Sequence, residues 1–353
     1  MRNFNVIDLF SGCGGFSYGF EQAGFNVILG VDNWDLALET FQTNHKNSST
    51  LNLDLHDKDS IKKIIEIVQS KRVDVIIAGP PCQGFSLTGT RNKQDRRNSL
   101  FESVFELAKK LDPKFLIIEN VPGLIALYGG QTKDKIISVG EGLGYTMNYQ
   151  ELFAPEYGVP QIRKRVFFVG SKLGKFEFPK KTHSEKEFVT CSDAIGDLPS
   201  LKNYIGSEES DYEKDPSTKY QKTMRRGCKK LYNHVGTNHQ EHVIDVIRQV
   251  PEGGNYKDLP EGVGTSRKFN EAWTRYHSDK PSRTIDTGHG NHFHYKYDRV
   301  PTVRENARLQ SFPDIFKFSG PKTKQNVQVG NAVPPLLGKA IAKEIKKYLD
   351  ESN

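Results

Sequence analysis

The sequence contains no apolar run near the roughly 20 residues that a membrane-spanning helix needs, which excludes a helical membrane protein. Cysteine is scarce as well, and the four cysteines form no Cys-x-x-Cys pair. This spacing argues against a disulfide scaffold and against structural zinc, so we expect reduced thiols. The first ten residues, MRNFNVIDLF, lack the layout of a signal peptide and predict a strand instead. Together these absences predict a cytoplasmic protein.

A strong charge imbalance is also missing. Basic residues exceed acidic ones by only 50 to 43, which gives a net charge of +7 and a pI near 9.0. An excess of this size favours a polyanionic partner only weakly, because solubility alone can account for it. With 353 residues, the chain is long enough for two domains with a substantial buried core.

Short apolar runs alternate with amphipathic segments over the first 170 residues. The predicted strands are 4–10, 26–32, 73–79, 114–120 and 165–170, and the predicted helices between them are 16–24, 35–45, 59–71 and 99–112. Strands that are continuously apolar belong to a parallel sheet covered on both faces. The pattern therefore predicts an α/β domain with a doubly wound, mostly parallel sheet.

The composition changes after about Lys172. Residues 180–300 are rich in Lys, Asn, Gly, Ser, His and Tyr with little periodicity, which predicts a smaller, irregular second domain. The final segment, 336–352, has apolar positions at helical spacing and predicts a helix that returns to the first domain. We therefore expect a first domain formed by 1–172 plus 322–353 and a second domain formed by 173–321.

Two candidate ligand-binding features follow the first two strands. The segment DLFSGCGGF (8–16) lets the backbone turn tightly and approach a ligand, although a plain strand–helix turn is the alternative. It is not G-x-G-x-x-G, so a pyrophosphate cofactor is not indicated. Asp32 closes the second strand, where a carboxylate can bind ribose hydroxyls or simply cap a helix. Asp54 could similarly reach an adenine amino group, or serve as a loop acid.

Two candidate catalytic residues follow later strands. Cys82 lies in AGPPCQGFS (78–86), between stiff prolines and a Gln-Gly turn, where a buried structural thiol is the alternative. Glu119 ends a buried strand, where a carboxylate is costly unless it is paired or used. Open α/β sheets bind ligands beyond the carboxyl ends of their strands. The four strand ends therefore predict one site for a nucleoside-type cofactor, a cysteine nucleophile and an acid.

These residues lie in motifs that resemble those of the DNA (cytosine-5)-methyltransferases of bacterial and phage type, from restriction–modification systems. DLFSGCGG resembles the cofactor motif of that family and GPPCQGFS its nucleophile loop. ENV (119–121) and QIRKR (161–165) resemble the motifs around the target base. RENARLQSFPD (304–314) and VGNAVPP (329–335) resemble the closing pair. The order and spacing of all six motifs fit, over almost the whole chain.

The resemblance implies a methyltransferase mechanism and a catalytic set. Cys82 would attack C6 of a cytosine flipped out of duplex DNA, and Glu119 would stabilise the charge at N3. C5 would then take a methyl group from S-adenosylmethionine before Cys82 is expelled. Arg163 and Arg165 would stabilise anionic character or hold the target nucleotide, with phosphate contacts or structural ion pairs as the alternative.

The resemblance also implies which residues bind S-adenosylmethionine. Asn33 departs from the family pattern, in which some members carry an aromatic residue, and Trp34 could compensate. The implied cofactor residues are Phe10, Ser11, Gly12, Cys13, Gly14, Gly15, Asp32, Asn33, Asp54, Leu55, Pro81, Leu100, Asn331 and Ala332.

The second domain would be the target-recognition domain, bound to double-stranded DNA. Its stretch 219–230 has six basic residues and no acidic ones, which suits phosphate contact or a solvated face. The polar segment 87–98 is expected to be mobile and to close over DNA, with an ordinary solvated surface loop as the alternative. The histidines of HGNHFHYKYDR are not expected to bind a metal. The implied DNA-binding residues are Gln83, Ser86, Arg91, Arg96, Arg97, Arg225 and Arg226.

Three other functions compete with this interpretation. An RNA cytosine-5 methyltransferase shares most motifs, but has a shorter target domain and a nucleophile loop closer to PPCQPF than to PPCQGFS. A catalytically silent DNA-binding protein would not need Cys82, Glu119 and Arg165. A nicotinamide dehydrogenase would need the dinucleotide glycine spacing. We expect a monomer without metal or membrane contact, and a cognate restriction endonuclease in the same system.

Overall fold

The computed structural model describes residues 3–69, 71–81, 100–202, 204–263, 273–287 and 290–352. The chain forms two compact units. Unit 1 comprises Met1–Phe153, Lys164–Lys180 and Pro335–Asn353, and unit 2 comprises Ala154–Arg163 and Lys181–Pro334. In the described ranges, no helix is long and apolar enough to cross a membrane.

Unit 1 is built around a seven-stranded sheet with the order β3-β2-β1-β4-β5-β7-β6. Its strands are β1 (Asn5–Leu9), β2 (Asn26–Asp32), β3 (Ser49–Asn52), β4 (Val75–Ala78), β5 (Phe115–Asn120), β6 (Thr146–Phe153) and β7 (Lys164–Ser171). The first five strands pair in parallel, whereas β7 runs antiparallel to both β5 and β6. The order reverses between β1 and β4. The predicted doubly wound fold is therefore confirmed.

Helices cover this sheet. They are α1 (Gly15–Gln22), α2 (Asp35–Asn44), α3 (Lys58–Val68), α4 (Leu100–Leu111), α5 (Gly123–Ala126), α6 (Gln131–Gly142) and α12 (Pro335–Glu351). Helices α3, α4 and α6 contact one another in sequence, and α1 contacts α12. The main core cluster joins the apolar faces of α3, α4 and α6 to alternate residues of β1, β2, β4 and β5. The continuous apolar runs predicted as strands thus form the buried centre of the sheet.

Two strands were not predicted from the sequence. β3 (STLN) and β6 (TMNYQELF) lie at the two edges of the sheet and are largely half-buried or exposed. An edge strand has fewer buried neighbours than a central one, so its sequence carries no continuous apolar run. The five central strands and four intervening helices were predicted within a few residues of their observed bounds.

Unit 2 consists of short elements joined by long loops. Its helices are α7 (Cys191–Ile195), α8 (Lys219–Met224), α9 (Glu241–Gln249), α10 (Val303–Leu309) and α11 (Lys322–Asn331), and its strands are β8 (Glu209–Ser210), β9 (Leu231–Tyr232), β10 (Thr274–Arg275) and β11 (His292–Phe293). β8 pairs with β9 and β10 pairs with β11.

Buried ion pairs hold unit 2 together in place of a large sheet. The Arg308 guanidinium donates to the carboxylates of Asp314 and Asp197, and Arg299 donates to both oxygens of Glu305 at 2.7 Å. The segment 304–314 therefore forms the polar core of unit 2. Helix α11 packs on α10, so 322–334 belongs to unit 2, whereas the predicted division assigned these residues to the first domain.

Candidate active site

The glycine loop after β1 is held by its backbone and by one acid of β2. Ser11 N donates to Val31 O at 3.0 Å, and Gly14 N donates to Ser11 O at 2.9 Å. Gly14 has φ +92°, and a Cβ there would lie 2.2 Å from Nε2 of the His45 imidazole. Only glycine fits this position, because the buried His45 ring packs directly beneath the loop.

Asp32 supports the same loop from the end of β2. Its Oδ2 accepts from Gly12 N at 2.8 Å, and its Oδ1 accepts from Trp34 N at 3.0 Å. Burial raises the pKa of Asp32, while these backbone donors lower it. One carboxylate therefore fixes the glycine loop and the residue that precedes α2, whereas the ribose contact of Asp32 stays a prediction.

The remaining predicted cofactor residues of unit 1 differ in exposure. Cys13, Leu55 and Leu100 are buried, whereas Asn33, Asp54 and Pro81 are exposed. Asp54 Oδ1 accepts from His56 N at 2.9 Å in the loop that follows β3. In unit 2, Asn331 is exposed and Ala332 is half-buried at the end of α11.

A buried acid beneath the glycine loop was missed by the sequence analysis. Asp8, in β1, accepts from Ser17 Oγ at 2.6 Å. Burial raises the pKa of Asp8 to about 7, Asp32 adds to the rise, and the hydrogen bonds from Ser17 oppose it. Burial also raises the pKa of the Cys13 thiol to about 12, which keeps this thiol protonated at neutral pH. A charged residue inside an otherwise apolar strand was the signal for Asp8.

Glu119 and Arg165 form an ion pair at the carboxyl edge of the sheet. Arg165 Nε lies 2.9 Å from Glu119 Oε1, and the two side chains are only 16% and 12% exposed. β7 runs antiparallel to β5, so its first residues meet the end of β5. Burial lowers the pKa of Arg165, and Glu119 opposes this. Gly79 leaves space beside the pair, since a Cβ there would lie 3.5 Å from Glu119 Oε2.

Arg163 lies in a different environment. Its side chain is 2% exposed, and Nη2 donates to Gly330 O at 2.9 Å and to Ala332 O at 3.3 Å. Its Nη1 donates to Gln161 Oε1 at 3.4 Å. The two arginines of QIRKR thus have different partners: Arg165 pairs with Glu119 in unit 1, and Arg163 binds backbone carbonyls inside unit 2.

Several predicted residues lie outside the described ranges. They are the nucleophile Cys82, the DNA-binding residues Gln83, Ser86, Arg91, Arg96 and Arg97, the segment 87–98, and His289. The described chain reaches Pro81, one residue before Cys82, next to the end of β5. The assignment of these residues therefore stays a prediction.

The basic stretch 219–230 divides into two kinds of residue. Arg225 lies over the Tyr212 ring at 3.7 Å and donates to Lys214 O at 2.6 Å, with Asp197 3.4 Å away. Arg226 is exposed. Arg225 therefore has a structural role in unit 2, whereas Arg226 remains available to a polyanion.

The histidines and acids of the described residues form no cluster suited to a metal ion. His292 and His294 are buried, and burial lowers the pKa of His294 to about 3. His294 Nε2 lies 3.5 Å from Glu305 Oε1, within the ion-pair network of unit 2.

Comparison with known proteins identifies the family. The model of the C-5 cytosine-specific DNA methylases matches residues 4–347. The type II methyltransferase M.DdeI of Desulfomicrobium norvegicum is 37% identical, over 99% of this chain and 90% of its own length. The type II methyltransferase M1.HphI of Haemophilus parahaemolyticus is 39% identical, over 98% of this chain and 87% of its own.

Solved structures agree with these sequence matches. A crystal structure of a protein assigned as a DNA modification methyltransferase, encoded within a prophage (E. coli), has a TM-score of 0.81 at 30% identity and covers 99% of this chain and 100% of its own. The S. pombe Dnmt2 methyltransferase, at 17% identity and a TM-score of 0.63 over 99% of this chain and all of its own, shares the fold. The predicted enzyme class, DNA (cytosine-5)-methyltransferase, is confirmed, and the chain belongs to the family of C-5 cytosine-specific DNA methylases.

Proposed function

We propose that this protein transfers the methyl group of S-adenosylmethionine to C5 of a cytosine flipped out of duplex DNA, through a covalent adduct between Cys82 and C6. The observation that carries the proposal is the Glu119–Arg165 ion pair, which lies beside Gly79 at the carboxyl edge of the sheet. Gly79 precedes Cys82 by three residues in the chain.

The residues around the glycine loop fit S-adenosylmethionine. Asp32 holds the loop through Gly12 N, at the strand end where ribose hydroxyls bind in nucleoside-binding α/β folds. Ser11 Oγ is buried and has no hydrogen-bond partner among the described residues, so it can bond to a ligand. When bound, S-adenosylmethionine supplies an electrophilic methyl group on a sulfonium centre.

Glu119 and Cys82 would act together on the flipped base. The thiolate forms a bond to C6, and the electron pair of the C5–C6 double bond moves towards N3. A free thiol is only about 3% ionised at neutral pH, so the attack needs activation. Stabilising the negative charge that develops at N3 of the cytosine would supply it. Arg165 holds Oε1 of Glu119, and a protonated Oε2 would donate a hydrogen bond to N3 as the negative charge develops there. C5 would then attack the methyl carbon, and the S–CH3 bond would break to release S-adenosylhomocysteine. A base would remove the C5 proton, and elimination would release the Cys82 thiolate.

DNA would be held mainly by unit 2 and by the segment after Cys82. Arg226 is exposed in the basic stretch and can contact a phosphate, together with Arg91, Arg96 and Arg97. Gln83 and Ser86 follow the nucleophile in the chain, so they would reach the DNA next to the flipped base. The target carbon lies inside the base stack, which makes flipping a requirement of the reaction.

The cellular setting follows from the relatives. Both sequence relatives are type II methyltransferases, so we propose that this protein modifies DNA in the bacterial cytosol together with a restriction endonuclease of the same specificity. The protein is proposed to act as a monomer.

Two experiments test the activity in sequence. Bisulfite sequencing of DNA from cells that express the protein should show 5-methylcytosine at one recognition sequence. The purified protein is then incubated with S-adenosylmethionine and a duplex that carries 5-fluorocytosine at the target position. Fluorine replaces the proton that the base removes, so the adduct should be trapped on Cys82 and absent in Cys82→Ala.

The alternatives predict other outcomes. Transfer of a labelled methyl group from S-adenosylmethionine to tRNA but not to duplex DNA would indicate an RNA methyltransferase. DNA binding without methylation or adduct would indicate a silent DNA-binding protein. Either result would overturn the proposed function.

A further inference from the structure

The segment that follows β4 contains a buried backbone carbonyl that needs a hydrogen-bond donor. β4 and β5 pair in parallel up to Ala78 and Ile118. The next residues of the β4 chain include Pro80 and Pro81, which have no backbone N–H to donate. Pro80 is buried, so its carbonyl oxygen needs a donor from elsewhere.

Asn120 supplies that donor. Its side chain is buried, and Nδ2 donates to Pro80 O at 3.1 Å. The other half of the same amide is also used, since Asn120 Oδ1 accepts from Val121 N at 2.8 Å. One side chain thus ties the segment that leaves β4 to the segment that leaves β5.

The other described side chains around this contact are apolar. The hollow at this place is lined by Pro80, Pro81, Phe101, Ile118, Asn120, Leu124 and Ile136. Among these lining side chains, Asn120 alone carries a polar group. An acceptor left unbonded in such a setting is costly, so the two segments would separate if the amide were lost.

We propose that Asn120 is a positioning residue for the methyl transfer: it fixes the backbone at Pro80, two residues before Cys82, relative to Glu119, its own neighbour in the chain. The inference rests on the proposed function, because it concerns the same nucleophile and the same acid. Asn120 does not touch the base or the cofactor in this scheme. It sets the spacing of the two segments that do.

Three variants test the role. Asn120→Ala removes both hydrogen bonds. Asn120→Asp keeps the shape and the acceptor for Val121 N, but loses the donor to Pro80 O and places a negative charge against that carbonyl. The matched control is Asn26→Asp, because Asn26 Nδ2 donates to Asn5 Oδ1 at 2.8 Å and ties β2 to β1 at the opposite, amino end of the sheet.

The readout is the rate of adduct formation with the 5-fluorocytosine duplex, at saturating S-adenosylmethionine and DNA. We expect both Asn120 variants to be at least tenfold slower than the wild type, with the dissociation constants for the cofactor and for DNA within threefold. Asn26→Asp should form the adduct at the wild-type rate. A slower adduct-forming step with unchanged binding is what misplacement of reacting groups predicts.

Each other outcome rejects the inference. Adduct formation by Asn120→Asp within threefold of the wild-type rate would show that the Pro80 contact does not matter to the reaction. Loss of cofactor binding in both Asn120 variants would show that Asn120 supports the fold of unit 1 as a whole. Absence of an adduct in the wild type would reject the proposed function itself, and the positioning role with it.

Discussion

Arg163 and Arg165 lie two residues apart, but they should fail in different ways when replaced. Arg163 is buried, and its guanidinium donates to the carbonyls of Gly330 and Ala332. Arg165 pairs with Glu119. We expect Arg163→Ala to lower the free energy of unfolding and Arg165→Ala to lower the rate of adduct formation.

The magnitude for Arg163→Ala follows from its contacts. Ala332 O keeps a second donor, Gln310 Nε2, so Gly330 O is the acceptor that loses its side-chain donor. An unsatisfied buried acceptor costs about 1–3 kcal/mol. The cavity left by a large buried side chain adds about 2 kcal/mol or more. The sum of about 4 kcal/mol is a large share of the roughly 5–15 kcal/mol that stabilises a typical protein.

Urea unfolding separates the two effects. With a urea dependence of about 2 kcal/mol per molar, a loss of 4 kcal/mol moves the midpoint down by about 2 M. Arg163→Met fills the cavity and should recover about half of that shift. Arg165→Ala should lose only about 1–2 kcal/mol but slow adduct formation by about a hundredfold or more. Equal midpoints for Arg163→Ala and Arg165→Ala would refute this reasoning.

Two further predictions concern packing and pH. A Cβ at Gly19, in α1, would lie 2.6 Å from Pro335 O in α12. Gly19→Ala should therefore lower the free energy of unfolding by about 1–3 kcal/mol and lower the melting temperature. In the control Gly142→Ala, the new Cβ meets no atom within 4 Å, and the free energy of unfolding should stay within about 1 kcal/mol of wild type. Burial raises the pKa of Asp8 from 3.8 to about 7, so its contribution to stability is present below pH 3.8 and is lost as the pH rises through 7. The gain in urea midpoint of Asp8→Asn over wild type should therefore grow between pH 4 and pH 7, and a constant difference would contradict the raised pKa.

Periodicity located the centre of unit 1 because the central strands are buried on both faces. Their continuous apolar runs and the amphipathic helices between them are direct consequences of that burial. The edge strands β3 and β6 were not predicted, since most of their residues are half-buried or exposed and several are polar. Unit 2 showed little periodicity, because ion pairs such as Arg308–Asp314 are buried there beside small apolar clusters such as that of Ile247 and Phe293, and charged residues are normally expected at the surface.

The strand ends were also predictable as a set. Parallel strands bring their carboxyl ends to one edge, so the loop at 10–15, Asp32, Pro81 and Glu119 had to lie along it. The partners of these residues were not predictable. Examples are the hydrogen bonds from Gly12 N to Asp32 and from Asn120 to Pro80 O. Each depends on donor–acceptor distances that are set to a few tenths of an ångström in the folded chain. For the contact of Asn120, the sequence signal was the pair Pro80-Pro81, because prolines have no backbone N–H to donate to nearby carbonyls.

The different positions of the two arginines show where sequence reasoning ends. Residues 163 and 165 would lie on the same face of a strand, so their shared motif suggests a shared role. β7 begins at Lys164, however, and only Arg165 lies within the sheet. Its pairing with Glu119, 46 positions earlier in the chain, requires β7 to run antiparallel to β5 with Asn120 opposite Val166. If the register of β7 against β5 were shifted by two residues, Arg163 would take the position of Arg165 beside Glu119. The Glu119–Arg165 ion pair is therefore a consequence of register, which is a property of the folded sheet and not of the motif.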